Sequence, residues 1–354
     1  MKKLFALLLA MMMLLTFAAC SNDGQTVGDT SIPASVTPTD EEPADEPEEE
    51  SGDPGEITVA EDPEEVATIV PEPSDATPLM WRVTCPDDQT MYLFGSIHVA
   101  GPTMYPLPHV IMDAFYAADY LAVEADTLAF INDRAAVMEY SFATMYDDGR
   151  TIVDEIGEEL YARAVEAVEA LNLGIPIELL DIYKPFVWWN DILTAAAIEL
   201  SGLSAEFGLD LFFLEKAYEL GMGILEVESI MEQIELLLGF SAPLQMLMLE
   251  GALDIELAAE AVIELYESYK YGDLESFILM RKAILEETPA EIGEEYYQGL
   301  LVNRDIGMAD AIEQYFEEGK NVFYVVGLLH MVGEGGIIDL LIQRGYIVEL
   351  VEIV

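Results

Sequence analysis

What this chain lacks narrows its chemistry before any motif is read. It has two cysteines, three histidines, and only 14 lysines and arginines against 68 aspartates and glutamates, a formal net charge of −54 over 354 residues. So negative a chain repels phosphate backbones, which argues against nucleic acid as a partner. With Cys20 assigned to the leader below, Cys85 is left without a mate, so no intramolecular disulfide is available and stability must come from a core. Hydrophobic residues, 52% of the chain, are plentiful enough to build one. Cys85 itself falls on an expected strand and reads as a small buried hydrophobe. There is no H-E-x-x-H, no P-loop and no dinucleotide glycine fingerprint, and neither Ser96 nor Ser201 sits in a G-x-S-x-G elbow.

The first twenty residues, MKKLFALLLAMMMLLTFAAC, join a basic start (Lys2, Lys3) to an apolar run too short for a stable span. Ala18, Ala19 and Cys20 follow. This is a secretory signal. Its end resembles a bacterial lipobox, in which Cys20 is lipidated, although Phe17 stands where an aliphatic residue is usual. The expected location is the extracytoplasmic face of a cell membrane, with a lipid anchor holding an acidic protein at a surface its charge would avoid. Residues 21–77 are rich in Pro, Thr, Ser, Asp and Glu, and no cation occurs between Lys3 and Arg82. Like charges and prolines predict a disordered acidic linker there.

From Leu79 the pattern changes. MWRVTC-PDDQ-TMYLFGSIHV predicts strand, turn and strand, and DYLAVEAD a short buried strand. Helical spacing dominates from Thr127 to Glu219 and again from Ser229 to Tyr315, with a strand at Met222–Ser229 between them. NVFYVVG, a helix from near Gly336 and YIVELVEIV close the chain. The expected fold is one mixed α/β domain over residues 78–354, its central sheet drawn from the N- and C-terminal thirds and covered by a helical middle.

Two of the three histidines occupy the same place in a repeated phrase. YLFGSIHVAG (Tyr92–Gly101) and YVVGLLHMVG (Tyr324–Gly333) align Gly95 with Gly327 and His98 with His330. A glycine at a strand end allows a close backbone approach or a sharp turn. A histidine three residues on then lies on a loop at the sheet's edge, where ligands of α/β proteins gather. Two imidazoles presented this way suit a divalent metal, and hydrolytic metals usually take a carboxylate too. Glu124, a charged residue closing an apolar strand, is the candidate. His109 has no such context and reads as a helix-start or surface residue.

These phrases, with YPLP, KPFVW, GLDLFFLEKAYELG, LEVESIMEQIE and VNRDIGMADAIEQY, resemble the TraB/GumN family, which includes the Tiki metalloproteases. The resemblance runs in order from about Met80 to Val351. It implies a mixed α/β fold with two pseudo-related halves and a metal-dependent peptidase chemistry acting on a peptide or protein. The motif glycines are then Gly95 and Gly327. The metal residues are His98, His330 and Glu124, with Mn or Co implied by the family and Zn on general grounds. Arg304 corresponds to the family's arginine and is assigned with Glu124 to catalysis, as an oxyanion or substrate-carboxylate clamp, the alternative being a salt bridge. Asn303 and Glu334 are candidates for supporting the ligands. Met222 stands where relatives often carry a lysine. Two other classes stay open: a non-catalytic lipoprotein binding haem or metal through the same histidines, and an inactive scaffold.

Overall fold

The computed structural model describes residues 74–353. The leader with Cys20 and the acidic segment up to residue 73 lie outside the described residues. Packing begins a little before the expected boundary: Ser74 donates to the Pro106 carbonyl and Thr77 to that of Lys270, at 2.9 and 2.8 Å.

Among the described residues six strands form one sheet: β1 (Met80–Thr84), β2 (Thr90–Ser96), β3 (Tyr120–Val123), β4 (Gly223–Glu226), β5 (Val322–Gly327) and β6 (Ile347–Leu350). Their order is β4-β3-β5-β2-β1-β6. The run from β4 to β2 is parallel, whereas β1 is antiparallel to both β2 and β6. This is the mixed α/β architecture the pattern implies. Its sheet does not come from the terminal thirds alone, because β4 arrives from the helical middle and pairs with β3. The unbroken apolar run of β5, Val322 to Val326, is buried on both faces, as a central parallel strand requires. Edge strand β6 is largely exposed.

Helices close both faces. Phe94 of β2 and Phe323 of β5 meet Phe213 of the Leu209–Leu220 helix at ring centroid distances of 5.1 and 5.0 Å, and Phe115 of the His109–Tyr116 helix lies 5.6 Å from Phe323. That cluster ties the two phrase-bearing strands to the helices covering them. In the middle region the Pro185–Ser201 helix buries Trp188 and Trp189. It packs against the Ile255–Lys270, Ala242–Ala252 and Ile152–Leu171 helices. His109 begins its helix and is exposed, and Cys85 is free and buried just after β1.

The repeated phrases lie side by side. Strands β2 and β5 are parallel neighbours, with Leu93 opposite Tyr324 and Ser96 opposite Gly327, one residue out of step with the sequence alignment. They then diverge. The first phrase runs into a loop carrying His98, as expected, but the second turns at Gly327 into a short helix, Leu328–Met331, that carries His330. Residue type accounts for this: β-branched Ile97 and Val99 flank His98, whereas the good helix formers Leu328, Leu329 and Met331 surround His330.

Neither motif glycine needs a positive φ; each makes room. A Cβ on Gly95 would stand 2.5 Å from Cδ1 and 3.1 Å from Cα of Leu328, and one on Gly327 would stand 3.2 Å from Glu124 Oε1. Gly95→Ala is therefore expected to destabilise the protein by about 1–3 kcal/mol through overpacking. Leu328→Ala carries its own cavity cost, but in that background Gly95→Ala is expected to cost less, as read by urea unfolding of the four members of the double-mutant cycle.

Candidate functional site

The strand ends deliver two carboxylates before they deliver a histidine. Glu124 follows β3 and Glu228 follows β4, and the parallel ladder continues past both strands: Val227 donates to the Val123 carbonyl and Glu228 N–H to the Glu124 carbonyl at 2.8 Å. Two neighbouring anions would repel one another, and Arg304 lies across both. Its Nε is 3.0 Å from each Glu228 carboxylate oxygen, and its Nη2 donates at 2.7 Å to Glu228 Oε2 and to Glu124 Oε2. The salt-bridge alternative for Arg304 thus describes its main contacts. Its Nη1 makes no hydrogen bond among the described residues.

Glu124 Oε1 accepts the N–H of Gly327 at 2.7 Å, and Oε2 also accepts from Gln233 at 3.3 Å. Burial pushes a carboxylate's pKa up, but here Arg304, then His330 and His98, outweigh it and hold Glu124 down at about 2. At neutral pH this carboxylate is ionised although only 7% exposed.

Each histidine is oriented by a carboxylate on its Nδ1. Asp210, in the first turn of the Leu209–Leu220 helix, places Oδ2 2.8 Å from His98 Nδ1, an ion-pair contact not aligned as a hydrogen bond, and takes the Ser96 hydroxyl on Oδ1. That turn is stitched to the first phrase by Leu209 N–H donating to the Ile97 carbonyl. Burial opposes protonation of His98, yet the Asp210 carboxylate, with Glu124 behind it, raises its pKa to about 9. His330 Nδ1 lies 2.6 Å from Asp305 Oδ1. Asp305 Oδ2 in turn accepts from Arg281 at 2.6 Å, and Arg281 also donates to the Leu329 carbonyl. Asp305 and Arg281 are 0% and 2% exposed. Removing either would leave its partner a bare charge in the interior, at a cost of about 3–5 kcal/mol.

His98, His330, Glu124 and Arg304 line one cavity with about 60 Å³ of open space. Asn303 and Glu334 do not reach it. Asn303 is exposed and lines the cleft on the other side of Arg304, and Glu334 is exposed, touching Tyr297 through its own carbonyl. The groups that touch the imidazoles and Glu124 are Asp210, Asp305 and Gln233, to which reading the sequence gave no role. Asp210 and Asp305 carry no signal beyond lying in the family-like segments. Glu228, however, repeats the logic that singled out Glu124, a charge just past a short apolar strand.

The donors suit a divalent ion at the two imidazoles. A carboxylate on each Nδ1 fixes the ring and leaves Nε2, which makes no hydrogen bond among the described residues, as the coordinating nitrogen. Glu124 is less free: of the roughly four acceptor positions on a carboxylate, three are taken. Among the described residues no three His, Cys, Asp or Glu side chains are already gathered as a ligand set.

Similarity to known proteins agrees with this picture. A family model described as the TraB/PrgY/gumN family matches residues 79–350, most of the chain. The chain belongs to the TraB/PrgY/gumN family. It is 24% identical to the human protein named Metalloprotease TIKI1, over 79% of this chain and 63% of that one. The zebrafish (Danio rerio) protein of the same name is likewise 24% identical, over 78% and 63%. A bacterial member from Escherichia coli K12, the uncharacterized protein YbaP, is 26% identical over 44% of this chain and 54% of its own. This TraB-family chain therefore spans less than two thirds of the length of these curated relatives. No solved structure matches it.

The depressed pKa of Glu124 has a definite sign. A folded value near 2 against an ordinary 4.5 means that its ionised form adds stability above about pH 4.5, and that this is lost as pH falls toward 2. In chelated protein, Glu124→Gln is expected to be less stable at pH 7 and to lose stability less steeply across that window. Urea midpoints measured from pH 7 to pH 2 provide the check.

Proposed function

We propose that this chain is a membrane-anchored, extracytoplasmic metal-dependent hydrolase acting on peptide bonds. One observation carries the reading: the two phrase histidines, each with Nδ1 held by a carboxylate, share a cavity with an ionised glutamate and an arginine. The names of the TIKI1 relatives point the same way.

In this reading His98 and His330 hold a divalent ion, Mn²⁺, Co²⁺ or Zn²⁺, through Nε2, and Glu124 adds its remaining acceptor position. When bound, such an ion polarises a carbonyl and lowers the pKa of a water. The protein's own groups do the rest. Asp210 and Asp305 sit against Nδ1 of the two imidazoles and so turn Nε2 toward the cavity; His98, whose pKa is raised to about 9, would give up its Nε2 proton as an ion binds. Glu124, with a pKa near 2, is too weak a base to take up a proton at neutral pH and serves as a fixed negative charge. Arg304 keeps that charge in place through Nη2 and turns Nη1 to the oxygen of the substrate carbonyl, a donor that gains strength as negative charge develops there. Catalysis is thus assigned to Glu124 and Arg304, and metal binding to His98, His330 and Glu124. The lipid on Cys20 keeps the domain at the membrane face.

Chelated protein reloaded with Mn²⁺, Co²⁺, Zn²⁺ or haem is expected to take up one equivalent of a divalent ion, to lose it in both His98→Ala and His330→Ala, and to stay colourless. Uptake unchanged in both variants would assign the ions to the acidic surface and favour a scaffold, and a Soret band lost in the variants would favour haem capture. For the anchor, Cys20→Ala should move the protein from the membrane fraction to the soluble one. Unchanged fractionation would remove lipidation of Cys20 from the reading.

A further inference from the structure

The groups discussed so far account for only part of the cavity's lining. Much of the rest is an apolar wall of Leu265, Phe277, Tyr296, Leu300, Leu301 and Leu329. These residues come from four separate helical segments, so no single helix face explains their convergence. Leu300 and Leu301 lie in a π-helical turn, Gln298–Val302, that leads directly into the Asn303–Glu317 helix. Such a turn inserts an extra residue and re-aims the side chains around it, and it is found most often at functional sites. Here it lets one continuous helical segment present two leucines and, two residues beyond the turn, Arg304 to the same cavity.

An apolar wall facing a cluster of charges gains free energy only when something apolar covers it. The cavity's open space, about 60 Å³, is room for a few waters and so for one side chain, not for a whole ligand. Its charged wall excludes one class of occupant. Both guanidinium groups, Arg281 and Arg304, are already paired, and four carboxylates (Glu124, Asp210, Glu228 and Asp305) share them with the histidines. Arg304 has no charge left over for an incoming carboxylate, so the substrate-carboxylate role considered for it does not fit this geometry. A neutral peptide carbonyl does.

We infer that the wall of Leu265, Phe277, Tyr296, Leu300, Leu301 and Leu329 is a specificity pocket that accepts one large apolar side chain, such as leucine, methionine or phenylalanine, from a peptide substrate beside the bond presented to the histidines. The inference rests on the peptidase reading above, but binding tests it without turnover. The probes are end-blocked pentapeptides, Ala-Ala-Xaa-Ala-Ala, carrying a small fluorophore, with Xaa leucine, methionine, phenylalanine, alanine or aspartate. Anisotropy is followed with the chelated full-length protein. The three large apolar peptides are expected to bind roughly tenfold or more tightly than the alanine and aspartate peptides, the scale set by burying such a side chain. Leu301→Trp, which fills the cavity, should abolish that difference. Phe277→Leu, a milder change that keeps the fold if the first does not, should shift preference from leucine toward phenylalanine. Equal binding of all five peptides, or unchanged preference in a variant whose thermal unfolding is native-like, overturns the pocket. Selective binding with no cleavage under any added metal removes the peptidase reading and leaves a peptide-binding pocket. Cleavage that ignores Xaa does the reverse.

Discussion

The site depends on one guanidinium. The parallel pairing of β3 with β4 continues to Glu228 and Glu124, so the backbone itself forces two carboxylates together where the strands end. Two adjacent ionised groups, partly withdrawn from water, would push the strand ends apart or take up a proton. Arg304 lies across both and offsets that repulsion, and Glu124 can then cap the N–H of Gly327 where the second phrase turns into its helix. In a chain with only 14 lysines and arginines, placing Arg304 and Arg281 in the interior of the same region uses cations where they are scarcest and least replaceable. A lysine offers a point charge on a flexible stem and could not span two carboxylates as a planar fork does.

Much of this was legible beforehand, for identifiable reasons. The strands could be read because bulky and β-branched runs end at turn residues, and the mixed sheet followed from where those runs fall along the chain. The repeated phrase marked the two histidines, and the charge closing β3 marked Glu124. What escaped the reading came from distant packing. Asp210 and Asp305 each begin an ordinary helix, and nothing local distinguishes them from dozens of other acidic residues. Their meaning arises only when the Leu209–Leu220 helix docks on the first phrase and the Asn303–Glu317 helix beside the second. The conformation of the second phrase was misjudged because identical spacing was given more weight than residue type: leucines and methionine around His330 favour a helical turn where isoleucine and valine around His98 do not. Asn303 precedes Arg304 on a helix, which sends neighbouring residues to different faces, and Glu334 lies on a turn beyond the Leu328–Met331 helix.

The cavity joins two demands that usually conflict. Its charged side needs exclusion of bulk water for strong interactions, while its apolar side gains most when water leaves. A single occupant covering the leucines would satisfy both at once, since drying one wall also lowers the dielectric around the other. Because the helical middle supplies most of the apolar wall and the sheet ends supply much of the charge, the two can vary separately. Changes in the middle helices alter what fits while the strand ends remain as they are.

The two arms of the repeated phrase are unequal in shelter. His330 is backed by a fully enclosed Asp305–Arg281 pair and stands on a helical turn, while His98 sits on a loop whose supporting Asp210 side chain is 24% exposed. Water and salt therefore reach the charge behind one histidine and not the charge behind the other, so a change of ionic strength would be felt first on the side built from β2.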